Sequence, residues 1–194
     1  MRTQPRSFVP ARDFEAIYAR CRDPWHFCSS PYERARYGSM FHALSRVQYQ
    51  RAFEPGCSVG AFTETLASMC KEVIATDVSV RAVNIARERL AHLPNVAVSC
   101  RDLRQGPPAG RFDLIVLSEV GYYFSVEQLS RIADALAGAL ARGGELLAVH
   151  WLGHSNDHIL HGDEVHETLN RVLPLPRTHT ERHELFRMDR WTRP

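Results

Sequence analysis

Two short segments contain residues whose types and spacing suit the binding of a nucleoside. In the segment Glu54–Gly60, Gly56 allows a sharp turn after a strand, and Gly60 allows the backbone to approach a ligand and the next helix closely. Asp77 follows about 20 residues later, where an acidic side chain can accept both hydroxyls of a ribose. Two other interpretations stay open: the glycines form a simple tight turn, and Asp77 caps the following helix.

Asp102 and Leu103 extend this pattern to a third segment. A carboxylate at this position can accept a hydrogen bond from an adenine amino group, and a leucine can pack on the ring of the base. An aspartate in an ordinary turn is the alternative interpretation of Asp102. Taken together, the three segments predict a nucleoside pocket formed by consecutive strand ends.

Histidines recur late in the chain at spacings of four, four and three: His150, His154, His158 and His161. Two histidines four residues apart on a helix can bind zinc. The small and polar residues between these histidines favour a loop instead, and no carboxylate–histidine signature of a catalytic zinc site accompanies them. We therefore predict no metal site.

Alternating strands and helices must position these residues. After a loose tail over residues 1–11, the hydrophobic patterns predict helices at Asp13–Cys21, Pro31–Leu44, Phe62–Cys70, Ser79–Leu90 and Ser125–Ala141, the last one ended by Gly143 and Gly144. They predict strands at Arg51–Glu54, Glu72–Thr76, Val96–Ser99, Phe112–Leu117 and Glu145–His150, and a closing antiparallel hairpin over Arg177–Trp191.

Repeated β-α-β units predict a Rossmann-like, doubly wound α/β fold with a mainly parallel, seven-stranded sheet. Such a sheet binds ligands at the carboxyl ends of its strands. We predict a single domain over residues 1–194, in which residues 1–45 form an N-terminal helical lid and residues 46–194 form the Rossmann-like core.

Composition limits the class of protein. The chain has 194 residues, of which 44% are hydrophobic and 24% charged, as expected for one globular domain with a full core. A net charge of +2 does not favour nucleic acid as a partner.

No apolar run approaches the roughly 18 residues of a membrane span, and the arginines of the N-terminus are not followed by the apolar stretch of a secretory signal. The five cysteines are odd in number and lack C-x-x-C spacing, which favours the cytoplasm.

Lys71 is the only lysine, and its position excludes two other nucleotide-binding classes. Because Cys70 rather than glycine precedes it, the chain has no P-loop. Because Ala67 stands four residues before it, the chain also lacks the Tyr-x-x-x-Lys of short-chain dehydrogenases.

The series Glu-x-Gly-x-x-x-Gly, Asp77 and Asp102-Leu103 resembles the motifs of class I S-adenosylmethionine-dependent methyltransferases. More narrowly, residues 23–150 resemble the nodulation N-methyltransferases (the NodS family). The segments that carry this resemblance are Asp23-Pro-Trp25, Tyr32-Glu33-x-x-Arg36, Gly56–Glu64 and Phe112–Phe124. Two positions depart from the pattern: Ser58 replaces a glycine found in many members, and Gly121 replaces a larger apolar residue, which we expect to enlarge the acceptor pocket.

The resemblance implies S-adenosyl-L-methionine as cofactor and adds contacts from Trp25 and Arg36. A guanidinium can bind the methionine carboxylate with two parallel hydrogen bonds. A solvated helix face for Arg36 and a core anchor for Trp25 are the alternatives. The expected cofactor-binding residues are Trp25, Arg36, Glu54, Gly56, Gly60, Asp77, Val78, Asp102, Leu103 and Ser118.

The segment after the fourth strand is expected to face the transferred methyl group. The ring of Tyr122 could hold a sulfonium by cation–π attraction, and Glu119 is a candidate base or an anchor for a cationic acceptor. His150, at the end of the fifth strand, is the other candidate proton acceptor, and His166 could line the same pocket. The alternative for Glu119 is a surface ion pair with an arginine.

The resemblance implies a methyltransferase acting on a small-molecule amine, for example on a deacetylated amino sugar, without nucleic-acid or membrane partners. Two other functions stay open. An NAD-dependent oxidoreductase would use the same ribose aspartate, and a non-catalytic nucleotide-binding module would lack an acceptor pocket.

Overall fold

A seven-stranded sheet forms the centre of the computed structural model, which describes residues 7–194. The strands are β1 (Tyr49–Pro55), β2 (Cys70–Asp77), β3 (Val96–Cys100), β4 (Phe112–Ser118), β5 (Leu140–Trp151), β6 (Arg177–Arg182) and β7 (Phe186–Thr192). Their order is β3-β2-β1-β4-β5-β7-β6; β1 to β5 are parallel, and β7 runs antiparallel between β5 and β6. The predicted Rossmann-like sheet and its antiparallel hairpin are thereby confirmed.

Within residues 7–194, six α-helices pack around the sheet: α1 (Ala11–Arg20), α2 (Pro31–Ala43), α3 (Ala61–Leu66), α4 (Val80–Leu90), α5 (Val126–Ala139) and α6 (Gly162–Val172). Serine side chains begin three of them, because a hydroxyl can accept a hydrogen bond from an otherwise unpaired N–H of the first turn. Ser30, Ser79 and Ser125 accept from the third residue of α2, α4 and α5, respectively.

The apolar strand β4 shows how both faces of the sheet are buried. Because successive side chains alternate, Ile115 and Leu117 pack with α5 and α6, while Leu114 and Val116 pack with α2 and α3. All four side chains are fully buried. A continuous apolar run is therefore required at this position, as expected for a central parallel strand.

The helix α5 ends earlier than the sequence suggests. The backbone is already extended at Leu140, whose buried side chain lies in β5 opposite Phe112. Gly143 and Gly144 therefore lie inside β5 and do not end the helix; Gly143, with φ 69°, follows this pairing where the ladder to β4 becomes irregular. The predicted helix at Phe62–Cys70 is also shorter, since α3 gives way to a 3₁₀ turn and Cys70 begins β2.

The segment before α1 pairs, from Ser7 onward, with the loop that precedes α5. Phe8 pairs with Phe124 as an isolated bridge, and the Ser125 N–H donates to the Ser7 carbonyl at 2.8 Å. The predicted loose tail is therefore wrong for residues 7–10, because their backbone groups have partners. The part of that prediction covering residues 1–6, like the signal-sequence argument there, lies outside the described residues. Across residues 7–194, no helix is long and apolar enough to span a bilayer.

Candidate active site

The carboxyl ends of the parallel strands open into a cavity of about 390 Å³. It lies where the strand order reverses, with β1 between β2 and β4, which is the usual ligand crevice of open α/β sheets. The strand ends contribute Gly56, Asp77, Asp102 and Glu119 to its wall, and α1 covers one side with Phe14 and Tyr18. The topology thus brings together the three segments that were predicted from the sequence to form a nucleoside pocket.

The glycine turn after β1 is fixed to β2 by its backbone. Gly56 N–H and Cys57 N–H both donate to the carbonyl of Thr76, at 2.6 and 2.9 Å. Gly56 has φ 73°, and a Cβ atom there would lie 2.1 Å from Val120 Cγ2. Gly60 does not line the cavity; its φ of 77° and its close approach to Leu90 let α3 pack on α4.

Ser58, which replaces a glycine of the broader pattern, adopts the left-handed conformation with φ 51°. Its N–H donates to Asp77 Oδ2 at 2.9 Å, and its hydroxyl is hydrogen-bonded to the hydroxyl of Tyr18 at 2.6 Å. A glycine could make the first contact but not the second. The serine therefore connects the glycine turn after β1 to α1.

Asp77 accepts a hydrogen bond at the start of α4 and also lies on the cavity wall. Its Oδ1 accepts from Ser79 N–H at 2.9 Å at the start of α4, and its Oδ2 accepts from Ser58. Each carboxylate oxygen keeps a further lone pair, and the residue lines the cavity. Burial raises the pKa of Asp77 to about 6, against the opposing effect of the backbone donors.

The carboxylate of Asp102 is already engaged by hydrogen bonds from Arg104. Arg104 donates to it through its backbone N–H at 2.9 Å and through Nε at about 3 Å. Although partial burial opposes ionisation, these bonds keep the pKa of Asp102 below its ordinary value. The turn interpretation therefore describes its contacts, yet Asp102, Leu103 and Val78 all line the cavity.

Arg36 is buried, which excludes the solvated helix face. Its guanidinium is 2% exposed and donates to Glu33 through Nε at 3.1 Å and through Nη2, and to Glu119 through Nη1. These bonds use three of the five N–H groups of an arginine, so one remains on each terminal nitrogen. Both carboxylates favour the charged form and, despite burial, raise the pKa of Arg36 above its ordinary value.

A small recess of about 30 Å³ beside the cavity brings Arg36 together with Glu54, Gly56 and Ser118. Glu54 is 4% exposed, and its Oε2 has no hydrogen-bond partner. Burial raises the pKa of Glu54 to about 8. The recess therefore combines unused cationic donors with a buried carboxyl oxygen, Glu54 Oε2, that lacks a partner.

Glu119 connects three elements and is not a surface ion pair. Its carboxylate accepts from Arg36 on α2, from the hydroxyl of Tyr122 in its own loop, and from Trp151 N–H on β5 at 2.9 Å. The backbone of Glu119 is left-handed, with φ 58°. A glutamate held by three donors is suited to positioning other groups.

His150 does not reach the cavity. The ring is fully buried beneath α6, where Nε2 accepts from Gly121 N–H at 3.0 Å and Nδ1 lies 3.2 Å from His166 Nε2. Burial and the neighbouring His166 hold the pKa of His150 well below its ordinary value. This geometry corrects the expectation that His150 accepts a proton from the acceptor. His166, fully buried too, does not line the pocket either.

Gly121 serves packing and does not enlarge the acceptor pocket, contrary to expectation. A Cβ atom there would lie 2.5 Å from Val165 Cγ1 on α6 and 2.8 Å from His150 Nε2. The missing side chain therefore lets α6 and His150 approach the loop backbone.

His154 and His158, considered above only as metal ligands, both line the cavity. His158 stacks on Tyr122 with ring centroids 3.7 Å apart, and its buried Nδ1 has no partner. Burial lowers the pKa of His158 below its ordinary value, which keeps the ring neutral and able to accept a proton. Its place in the loop after β5 was the available signal. Among residues 7–194, no group of three or more histidine, cysteine or acidic side chains could hold a metal ion.

Trp25 belongs both to the cavity wall and to a small aromatic cluster. It lines the cavity, and it packs against Tyr18 and Phe27 with ring centroids 5.6 and 5.7 Å apart.

Comparison with known proteins identifies the family. The family model of nodulation protein S (NodS) matches residues 13–158. Nodulation protein S of Sinorhizobium fredii is 36% identical over 129 residues, covering 64% of this chain and 59% of its own length; that of Rhizobium tropici is 34% identical over 127 residues, covering 64% and 53%. The chain thus spans only a little more than half the length of these curated relatives.

A solved structure extends this likeness over nearly the whole chain. The N-methyltransferase NodS from Bradyrhizobium japonicum WM9, in complex with S-adenosyl-L-homocysteine, has a TM-score of 0.82 and 28% identity, covering 95% of this chain and 98% of its own. With three quarters of its sequence matched by the family model and the same fold throughout, this chain belongs to the nodulation protein S (NodS) family.

Proposed function

We propose that this protein is an S-adenosylmethionine-dependent methyltransferase that methylates an amine of a small molecule. The observation that carries the proposal is the position of Asp77, whose carboxylate keeps unused lone pairs on the wall of the cavity that also contains Asp102 and Leu103. The structure of a NodS N-methyltransferase with S-adenosyl-L-homocysteine supports it.

The adenosine half of the cofactor fits the wide part of the cavity. Asp77 offers two acceptor oxygens to a ribose diol, and Leu103 and Val78 offer apolar surface to a base. The adenine amino group would share Asp102 with Arg104. Trp25 would contact the cofactor from the segment between α1 and α2.

The polar end of the methionine half would face the recess beside Gly56. Arg36 keeps one N–H on each terminal nitrogen, which suits a carboxylate. Glu54 Oε2 lacks a hydrogen-bond partner. The ammonium group of the methionine half would supply a donor to this oxygen. Ser118, at the end of β4, would supply a backbone carbonyl to the same ammonium.

When bound, the cofactor supplies an electrophilic methyl group, and this chain supplies position and a site for the proton. The acceptor nitrogen must be neutral to react, because its lone pair forms the new bond. His158 takes the role first considered for His150, since its ring lines the cavity and burial keeps that ring neutral by lowering its pKa. Glu119 accepts a hydrogen bond from the hydroxyl of Tyr122. It would thereby fix the tyrosine ring against which the acceptor is proposed to lie.

We further propose that the acceptor is the amine of a deacetylated amino sugar. This narrower assignment rests on family membership and on the N-methyltransferase description of the Bradyrhizobium protein. Hydroxyl and carboxylate compounds are the competing acceptor classes.

Calorimetry tests the cofactor assignment. We expect the wild-type chain to bind S-adenosylhomocysteine and not NAD, and Asp77→Ala to weaken binding by about 1–3 kcal/mol through lost hydrogen bonds. Asp134→Asn, on the exposed face of α5, is the control and should bind like wild type. Unchanged affinity in Asp77→Ala would remove the ribose role, and NAD binding would favour an oxidoreductase.

Methyl transfer to a panel of amines, alcohols and carboxylates tests the acceptor. We expect transfer to glucosamine-type amines. Transfer only to hydroxyl or carboxylate compounds would exclude the amine, and cofactor binding without any transfer across the panel would favour a non-catalytic nucleotide-binding module.

A further inference from the structure

Three fully buried polar side chains form a line behind the candidate active site. His150 Nδ1 on β5 lies 3.2 Å from His166 Nε2 on α6, and His166 Nδ1 lies 2.7 Å from Asp189 Oδ2 on β7. The other end of the line is a backbone group, since Gly121 N–H donates to His150 Nε2 at 3.0 Å. None of the three side chains lines the cavity.

Gly121 N–H, at one end of the line, decides which atom donates in each of its hydrogen bonds. An amide N–H can only donate, so His150 Nε2 must be unprotonated and the proton of a neutral ring must lie on Nδ1. That proton points to His166 Nε2, which must then accept, so the proton of His166 lies on its own Nδ1 and points to Asp189. Both rings are thereby fixed as neutral Nδ1–H tautomers.

Asp189 anchors the line by its charge. Its carboxylate also accepts from Arg187 Nε at 2.9 Å and from Arg177 Nη1 at 3.4 Å. These partners explain how a fully buried carboxylate is retained, because a buried charge without partners would be strongly destabilising. Burial opposes its ionisation, but the hydrogen bond from His166 helps to hold the pKa of Asp189 below its ordinary value.

The backbone group at the other end belongs to the loop that carries Glu119 and Tyr122. Gly121 lies between these two residues, and the absence of a Cβ atom is what lets His150 and Val165 reach its backbone. The next carbonyl, that of Tyr122, is held by Ile159 N–H at 2.8 Å. The loop facing the cavity is thus held from behind at consecutive residues.

We propose that His166 and Asp189 are positioning residues for methyl transfer: they hold His150 in the tautomer whose Nε2 binds Gly121 N–H, and so fix the Glu119–Tyr122 loop. This inference rests on the proposed function for its effect on turnover. The tautomers and the Gly121 hydrogen bond do not depend on it, because they concern only the chain itself.

Nuclear magnetic resonance of the full-length protein tests the line directly. In wild type, we expect the ring nitrogens of His150 and His166 to show protonated Nδ1 and bare Nε2 at pH 7, and Gly121 N–H to exchange slowly. A proton on Nε2 of His150 would overturn the proposal, whatever the protein's activity.

Paired variants test the positioning role. Gln at position 150 offers a carbonyl oxygen to Gly121 N–H, whereas Leu of similar size does not. We expect His150→Leu and His166→Leu to speed Gly121 exchange at least tenfold and to lower kcat on glucosamine by about 10- to 100-fold, since small displacements in an active site have effects of that size. His150→Gln should keep most of both properties. In every folded variant, the Kd for S-adenosylhomocysteine should change much less than kcat, because most of the proposed cofactor contacts come from the ends of β1, β2 and β3 and not from this loop.

The outcomes separate this inference from the proposed function. His92→Leu, an exposed histidine after α4, is the control and should change nothing. Leu variants with wild-type kcat and Gly121 exchange would overturn the positioning role, and so would a parallel loss of cofactor affinity, which indicates general loosening. If the wild-type chain binds no S-adenosylhomocysteine, the proposed function fails, and the tautomers and Gly121 exchange alone decide the inference.

Discussion

At the scale of single residues, Glu54 is the group whose protonation should respond to the cofactor. In the free protein, its pKa of about 8 keeps it mostly protonated at pH 7, whereas Asp77, with a pKa of about 6, is already largely ionised. An ammonium beside Glu54 favours its charged form, so binding should release a proton and affinity should rise with pH up to about 8.

Calorimetry of S-adenosylhomocysteine binding at pH 7, in buffers of different ionisation enthalpy, measures this release. We expect a fraction of a proton to be released by wild type and none by Glu54→Gln. Equal release by both proteins would place the titrating group elsewhere.

His158 is the second residue with its own prediction. His158→Phe keeps an aromatic ring on Tyr122 but removes the nitrogen that could accept a proton. We expect kcat on a glucosamine-type amine to fall by about 100-fold at pH 7, with less loss above the pKa of the amine, where the free base is abundant. A pH–rate profile measures this. An unchanged profile would exclude His158 as the proton acceptor, and His150→Gln, which keeps the buried contact, serves for comparison.

At the scale of elements, polar contacts connect α1 and α2 to the strand ends. Tyr18 binds Ser58, Glu15 binds Ser79 at 2.9 Å, and Arg36 binds Glu119. If the cofactor adds contacts to Trp25 and Arg36, it should stabilise this region selectively.

Hydrogen exchange with and without S-adenosylhomocysteine measures that change. We expect amides of residues 12–44 to become about tenfold better protected, and those of the central strand β4 to change little. Equal protection of residues 12–44 in both states would contradict a cofactor-ordered lid.

Two glycines in helical regions should respond oppositely to alanine. Gly60→Ala introduces a Cβ atom 2.8 Å from Leu90 Cδ1 at a residue with φ 77°, and should lower the free energy of unfolding by about 1–3 kcal/mol. Gly138→Ala, near the end of α5 with no atom within 4 Å of the new Cβ, should raise it by about 0.4–1 kcal/mol. Urea unfolding measures both; destabilisation by Gly138→Ala would show an unrecognised contact.

At the scale of the whole molecule, a ligand that binds only the folded chain must stabilise the entire sheet. S-adenosylhomocysteine at 100 times its Kd should add about 2.7 kcal/mol, which corresponds to a rise in Tm of about 5–10 °C for a domain of this size. NAD at the same concentration should leave Tm unchanged. Differential scanning calorimetry checks this, and equal shifts with both compounds would argue against a methionine subsite around Arg36.

The sequence by itself predicted the succession of strands along the chain and the location of the segments proposed to bind a nucleoside. Gly56, Asp77 and Asp102 each lie at the end of a strand or within two residues after it. Because the carboxyl ends of parallel strands meet at one edge of a sheet, local patterns were enough to bring them together. The serine caps could be predicted for the same reason, because a cap depends on residues within one turn.

Only the tertiary structure decided which side chains face the cavity. Whether His150 points into the site or under α6 depends on the face of β5 on which it lies, and α6 itself was not predicted from its pattern. The contact of Arg36 with Glu119 joins residues 83 apart, and Asp189 reaches His166 only because β7 returns beside β5. Such contacts depend on how distant elements pack, and spacing along the chain contains no information about that packing.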